Sequence, residues 1–81
     1  MILGVYVIYD KDAAEYSSPY TAVNLKVACR GFVQTVNQSL FKDAYSLINI
    51  GTFDTENGSF NVFSERTIKS AAQVDEVLNG E

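Results

Sequence analysis

The chain has 81 residues, which is enough for one domain spanning 1–81 with a thin hydrophobic core. Hydrophobic residues make up 47% of the chain and charged residues 20%, so the composition is too apolar for a disordered protein. Histidine is absent and cysteine occurs once, which excludes an internal disulfide, metal sites built on histidine or paired cysteines, and histidine-based catalytic triads, while the formal net charge of −4 disfavours a nucleic-acid coat.

A strand is the first predicted element, over residues 2–9. Its valine, isoleucine and tyrosine residues have high β-propensity, and apolar side chains lie on both faces. Tyr6 and Ile8 share one of these faces, and a doubly apolar run of this kind is typical of a strand covered on both sides. Residues 10–20 are expected to form a connection, because their charges, adjacent serines and Pro19 interrupt regular structure.

The next predicted element is a helix over residues 24–37. Asn24 or Thr21 is the candidate N-cap, because a short polar side chain can accept hydrogen bonds from the first free amides of a helix. Apolar residues at steps of three and four predict one core-facing stripe, which consists of Leu25, Ala28, Phe32 and Val36. The polar residues on the other side of the helix are Lys26, Arg30, Gln34 and Asn37.

Two further strands are predicted near residues 45–53 and 59–63. The segment between them contains Asn57 and Gly58, which adopt positive φ at low cost, so we expect the chain to reverse there as a hairpin. Residues 65–68 are expected to form a loop after the second strand of this hairpin.

Residues 64–81 are expected to form an acidic, mobile tail that carries a short helix. The segment Ser70-Ala-Ala-Gln73 resembles a capping box, in which the first and fourth side chains bond to each other's backbone amides. Apolar residues follow at helical spacing, and Asn79-Gly80 is the expected end of the helix.

The predicted fold class is α+β, in the order β-α-β-β-α: a three-stranded sheet with one main helix and a short C-terminal helix. The main helix can cover only one face of this sheet. The other face is expected to carry apolar side chains, including Tyr6 and Ile8, so we expect a homo-oligomer to complete the fold. The residues expected to take part in self-association lie on the first strand and are Leu3, Val5, Tyr6 and Ile8.

Nothing in the sequence predicts an enzyme, a cofactor or a metal site. The acids Asp10 and Asp12 share one loop, and Asp54 and Glu56 share another, without a neighbouring ligand pattern, so they are interpreted as turn formers. Cys29 lies beside the core stripe and is interpreted as a buried, inert thiol. The opening apolar run is far shorter than the roughly 20 residues that span a bilayer and lacks a signal-peptide pattern, so we expect no membrane contact and a cytoplasmic protein.

A nucleic-acid surface is the one binding site that the residues suggest. Lys26 and Arg30 lie one helical turn apart and share a face with Gln34, an arrangement that can contact phosphates. Lys42 can extend this face, and an aromatic ring such as that of Tyr6 can stack on an unpaired base. The residues alone favour a simpler interpretation, in which the two cations solvate the helix and the aromatic rings fill the core.

Several short motifs occur in an order and spacing that match a known family over roughly residues 5–60. They are Ile8-Tyr9-Asp10, Pro19-Tyr20, Ala28-Cys-Arg30-Gly-Phe32, Val36-Asn37, Asp43-Ala-Tyr45-Ser-Leu47, Ile50-Gly-Thr-Phe-Asp54 and Thr55-Glu-Asn-Gly58. Together they resemble the small nonstructural protein of gokushovirus-type microviruses, which are single-stranded DNA phages. The segment after Phe63 departs from that pattern.

The resemblance implies a non-enzymatic accessory protein of the phage, located in the host cytoplasm and absent from the virion. It implies binding to single-stranded DNA or to the replication and packaging machinery, whether viral or host, and it places the helix arginine of the family at Arg30. The alternative is a protein-interaction module that acts on a host or viral protein without touching DNA, through its acidic tail or its open sheet.

Overall fold

A computed structural model of the chain describes residues 1–36 and 39–80. Within them the chain forms five strands and two α-helices, an α+β fold as predicted. In chain order the elements are β1 (Ile2–Asp10), β2 (Glu15–Tyr16), β3 (Tyr20–Ala22), α1 (Leu25–Val36), a 3-10 helix (Lys42–Ala44), β4 (Tyr45–Asp54), β5 (Phe60–Ser70) and α2 (Ala71–Asn79). The predicted helix end at Asn37 and the last tail residue, Glu81, lie outside the described residues.

Strand β1 occupies the centre of a single antiparallel sheet. It pairs with β4 on one side and with the short strands β2 and β3 on the other, and β5 forms the outer edge beside β4. The expected three-stranded sheet is therefore too small, because part of the predicted connection over residues 10–20 pairs with β1. Ser17 anchors this segment: its amide donates to the Ile8 carbonyl over 2.7 Å, and its hydroxyl accepts from the Ile8 amide over 2.8 Å.

Strand β5 is much longer than the predicted strand over residues 59–63. Residues 65–68, expected to be a loop, belong to it, and Ile68 pairs with Ile48. The polar residues of this segment suit the edge strand of a sheet, because one edge of that strand is exposed to solvent. The pairing with β4 shifts at Gly51, where a Cβ atom would clash with the carbonyl of Asn61.

The predicted hairpin turn and both helix starts are confirmed. Gly58 adopts a φ of +75° and its amide donates to the Asp54 carbonyl, which closes the turn between β4 and β5. The side chain of Asn24 accepts from the Val27 amide over 3.0 Å. Ser70 and Gln73 form the reciprocal capping box, so α2 begins directly where β5 ends.

Both helices bury their apolar side chains in one cluster on a single face of the sheet. Phe32 of α1 and Val74 of α2 meet Tyr6, Ile8 and Leu47 there. Tyr6 is only 4% exposed and Ile8 5% exposed, so the expectation that they lie on the uncovered face is wrong. Both faces of β1 are apolar, and an alternating pattern with two apolar faces does not indicate which one the helices cover.

The opposite face of the sheet is called here the open face. Its side chains alternate along each strand with the side chains that point into the core cluster. Residues paired across an antiparallel ladder point to the same side, so the strand register defines the set. Its apolar members are Leu3, Val5, Val7, Ile48, Phe53, Phe60, Val62 and Ile68. Val5, Val7 and Ile48 at the centre are buried, whereas Val62 on β5 is 67% exposed and Ile68 is 61% exposed.

The segment expected to be a mobile tail supplies part of this structure. Its first residues complete β5, and the rest form α2, on which Ala71 and Val74 are buried in the core.

We predict that Val74→Ala lowers the free energy of unfolding by about 2 kcal/mol, from two lost methyl groups and the cavity that they leave. The measurement is equilibrium urea denaturation followed by circular dichroism. Val23→Ala is the matched control, because the same atoms are removed from an exposed side chain, and we expect a change below about 0.5 kcal/mol. Equal effects of the two substitutions would show that α2 does not stabilise the core.

Candidate nucleic-acid interface

The charges of this chain are strongly segregated along the sequence. Residues 16–42 contain three basic residues, Lys26, Arg30 and Lys42, and no acidic residue, whereas all ten acids of the chain lie outside this range. Helix α1 lies within it and carries no acid in any turn. In a protein with a net charge of −4, α1 is therefore the element best suited to meet a polyanion.

The outer face of α1 brings together three of the predicted contact residues. Lys26, Arg30 and Gln34 follow each other at one-turn intervals along about 12 Å of the helix, from a rise of 1.5 Å per residue. Arg30 and Gln34 are exposed, and Lys26 is half-buried. Their side of the helix is opposite the buried stripe that holds Phe32, so the helix can offer them to a ligand without any rearrangement of the core.

Lys42 occupies a different environment from the one expected. It lies in the 3-10 helix, and its Nζ is 3.9 Å from Oδ2 of Asp75 on α2, with both side chains about half exposed. An exposed pair of this kind contributes at most about 1 kcal/mol. Lys42 therefore lies at the junction of the two helices, where the carboxylate of Asp75 competes with a phosphate for it.

Tyr6 is unavailable to a nucleic acid. Its side chain is buried under α1, and its ring centroid lies 6.0 Å from that of Tyr20. The proposed stacking of a base on Tyr6 is therefore wrong for this fold. Phe41, which is 70% exposed and adjacent to Lys42, is an accessible ring that the sequence reasoning missed. The sequence did contain a signal for this ring, because Phe41 directly precedes Lys42 within the acid-free range 16–42.

A buried group of titratable side chains lies between the sheet and α1. The Tyr20 hydroxyl donates to the Ala28 carbonyl over 2.8 Å. Burial raises the pKa of Tyr20 to about 12, with smaller contributions from Cys29 and Tyr6, and burial also raises the pKa of Tyr6. Burial raises the pKa of the Cys29 thiol, which nearby Lys69 partly opposes. All three side chains are therefore neutral near pH 7, and their role is to fill the core.

The acidic loops build turns. Oδ1 of Asp10 accepts from the backbone amides of Asp12 and Ala13, and Oδ1 of Asp54 accepts from the amide of Glu56. Among the described residues there is no cluster of three or more potential metal ligands. Within the same residues, no helix has the length and apolar content needed to cross a membrane.

One groove lies beside the N-terminal end of α1, with a volume of about 220 Å³. That is smaller than the 300–1,000 Å³ usual for small-molecule sites. Its lining residues are Tyr6, Leu25, Leu47, Asn49, Thr67 and Lys69. Its titratable side chains are those of Tyr6 and Lys69.

Comparison with known proteins links the chain to one family. The family model described as Phage ORF5 protein matches residues 3–74, which is most of the chain. The search of curated proteins and the search of solved structures each gave no significant match.

We predict that Tyr20 ionises late in an alkaline titration followed by tyrosinate absorbance, near pH 12. The pKa of Tyr20 in the folded state lies above the unfolded value of about 10, so its neutral hydroxyl stabilises the folded state below pH 10. This stabilisation is lost as the pH rises through 12. The free energy of unfolding should therefore fall between pH 10 and 12. Tyr20→Phe should remove the ionisation near pH 12 and leave Tyr6 as the tyrosine with a raised pKa, whereas Tyr16→Phe, at an exposed ring, should retain it. Ionisation of every tyrosine near pH 10 in the folded protein would contradict this.

Proposed function

The chain belongs to the Phage ORF5 protein family and is a bacteriophage protein, and from that premise we propose that it is a non-enzymatic accessory protein that binds single-stranded DNA along the outer face of α1. We place it in the host cytoplasm, outside the virion, in a phage of the gokushovirus type. The observation that carries this proposal is the acid-free surface of α1, with Arg30 exposed at its middle, in a protein that is otherwise acidic.

The geometry supports weak, salt-sensitive contact with the DNA backbone. Arg30 offers one phosphate contact, Lys26 offers a second in exchange for an interaction that it already makes, and Lys42 adds a third if Asp75 releases it. For single strands each neutralised phosphate contributes about −0.7 to the slope of log affinity against log salt, so two contacts give a slope of about −1.4 and three contacts give about −2. Phe41 takes the place first assigned to Tyr6, because an exposed ring beside a cation can stack on an unpaired base, a contact worth about 1–3 kcal/mol.

The residues also support a role without catalysis. Cys29 is buried and free, and its raised pKa keeps the thiol protonated near neutral pH. The acids near β1 and in the β4–β5 turn hold their own loops through hydrogen bonds. None of these groups is paired with a base or nucleophile in the way that acid–base or covalent catalysis requires.

A second candidate function is protein binding without DNA contact, in which the protein acts on a viral or host replication protein. The adjacent side chains of Leu40 and Phe41 favour it, because they are 92% and 70% exposed and a partner could bury both of them at once. The predicted use of the tail for this purpose is hard to test by deletion, since removing residues 65–81 also removes half of β5 and the buried Val74. Leu40→Ser is the better probe, because it leaves the core intact.

We predict that Arg30→Ala weakens binding of a short fluorescent oligothymidylate at low salt by about fivefold, since a charge-assisted contact to phosphate is worth about 1 kcal/mol or more. The salt slope should become shallower by about 0.7. Fluorescence anisotropy measured over a series of salt concentrations gives both quantities.

Arg66→Ala is the matched control for this experiment. It removes the same exposed charge from β5, in the acidic half of the chain, so binding should change by less than twofold. Two results would rule out the proposed contact: an unmodified protein that does not bind at low salt, or equal effects of the two substitutions. Loss of a protein partner on Leu40→Ser, with no DNA binding, would instead support the second candidate.

A further inference from the structure

The open face is an apolar surface that the helices leave uncovered. Its outer row lies on β5, where Val62 and Ile68 are largely exposed and Phe60 is about half exposed. Burying exposed aliphatic side chains is favourable by about 25 cal/mol for each Å² removed from water. We propose that the open face packs against the open face of a second copy, so that the protein is a homodimer built as a sandwich of two sheets.

The paired positions of the open face carry no charge, which favours a second copy as the occupant. The side chains that the strand register places there are uncharged, from Leu3 on β1 to Ser70 at the end of β5. Residues 63–66 of β5, which include Glu65 and Arg66, lie in the irregular stretch that has no partner on β4. A twofold axis brings the same patch of each subunit together, so the patch must be complementary to itself. An uncharged apolar patch meets this condition, because no buried charge then lacks a partner.

The size of the face is near the minimum for a dimer. The three long strands β1, β4 and β5, about 4.8 Å apart and of about ten residues each at 3.3 Å per residue, give a footprint of roughly 475 Å² for each copy. Two copies would bury roughly 950 Å², which is at the low end for specific interfaces. Two sheets that pack in this way lie about 10 Å apart, a distance that side chains the size of Ile68 and Val62 fill.

The free edge of β5 is a less suitable contact than its face. Glu65, Arg66 and Lys69 place charges along this strand, and its register is interrupted between Val62 and Thr67. Charges and irregular pairing are the features by which edge strands avoid pairing with other chains. An antiparallel alignment that set Val62 against the second copy's Ile68 would also centre on Glu65 and bring two like charges together.

The dimer proposal is independent of DNA binding. Helix α1 lies on the other side of the sheet, so the face that carries Arg30 stays exposed on each outer surface of the sandwich. A failure of one proposal therefore leaves the other intact, and the two experiments use different residues.

The test is the solution mass at micromolar concentration, measured by light scattering after size exclusion and by sedimentation. We expect the unmodified protein to show twice the chain mass of 8.9 kDa. Ile68→Lys should raise the dimer dissociation constant at least tenfold, because a lysine would then be buried in an apolar interface. Thr67→Lys adds the same charge to the neighbouring residue of β5, which points to the helix side, and should change the constant by less than twofold.

Two outcomes would overturn the proposal. One is an unmodified protein that stays monomeric at hundreds of micromolar, and the other is equal weakening by Ile68→Lys and Thr67→Lys, which would indicate pairing through the edge. Circular dichroism verifies the fold of each variant. If Ile68→Lys does not fold, Val62→Lys and its control Asn61→Lys provide the same comparison farther along β5, where both side chains are exposed.

Discussion

Strand β1 can form the centre of the sheet because both of its faces are apolar and both of its edges are paired. Its inner side chains, Tyr6 and Ile8, are buried against the helices, and Val5 and Val7 are buried on the other side. Every other element takes its position from this strand: β4 and the short strands complete its hydrogen bonds, and α1 and α2 cover one face only. The uncovered face and the exposed outer surface of α1 both follow from that one-sided arrangement.

Local sequence signals predicted the elements that depend on local interactions. The Asn24 cap, the Gly58 turn and the capping box of Ser70 each involve residues within four positions of one another, and each was found where the sequence placed it. The elements that were missed depend on distant partners. Strands β2 and β3 exist because β1 offers a free edge, and residues 65–68 are extended because β4 pairs with them. Tertiary pairing there overrides weak local preference.

The candidate interface was predictable to a similar degree. Helical spacing alone placed Lys26, Arg30 and Gln34 on one outer face, since the buried stripe fixes which side of α1 points outward. The environment of Lys42 was not predictable, because it depends on Asp75 of α2. The environment of Tyr6 was not predictable either, because it depends on which face of β1 the helices cover. The choice between the two faces is a property of the assembled core, and no pattern within β1 encodes it.

The register of the central ladder has a consequence for how the chain reaches its native state. Ile2 lies opposite Asp54, and Val74 must arrive from farther still to cover the same core. Contacts between residues so distant along the chain make a fold slow to form, because the entropy of closing long loops is lost before much burial compensates for it. During synthesis on the ribosome, β1 therefore emerges long before β4 and α2, and it stays an apolar segment with one unpaired edge until they follow.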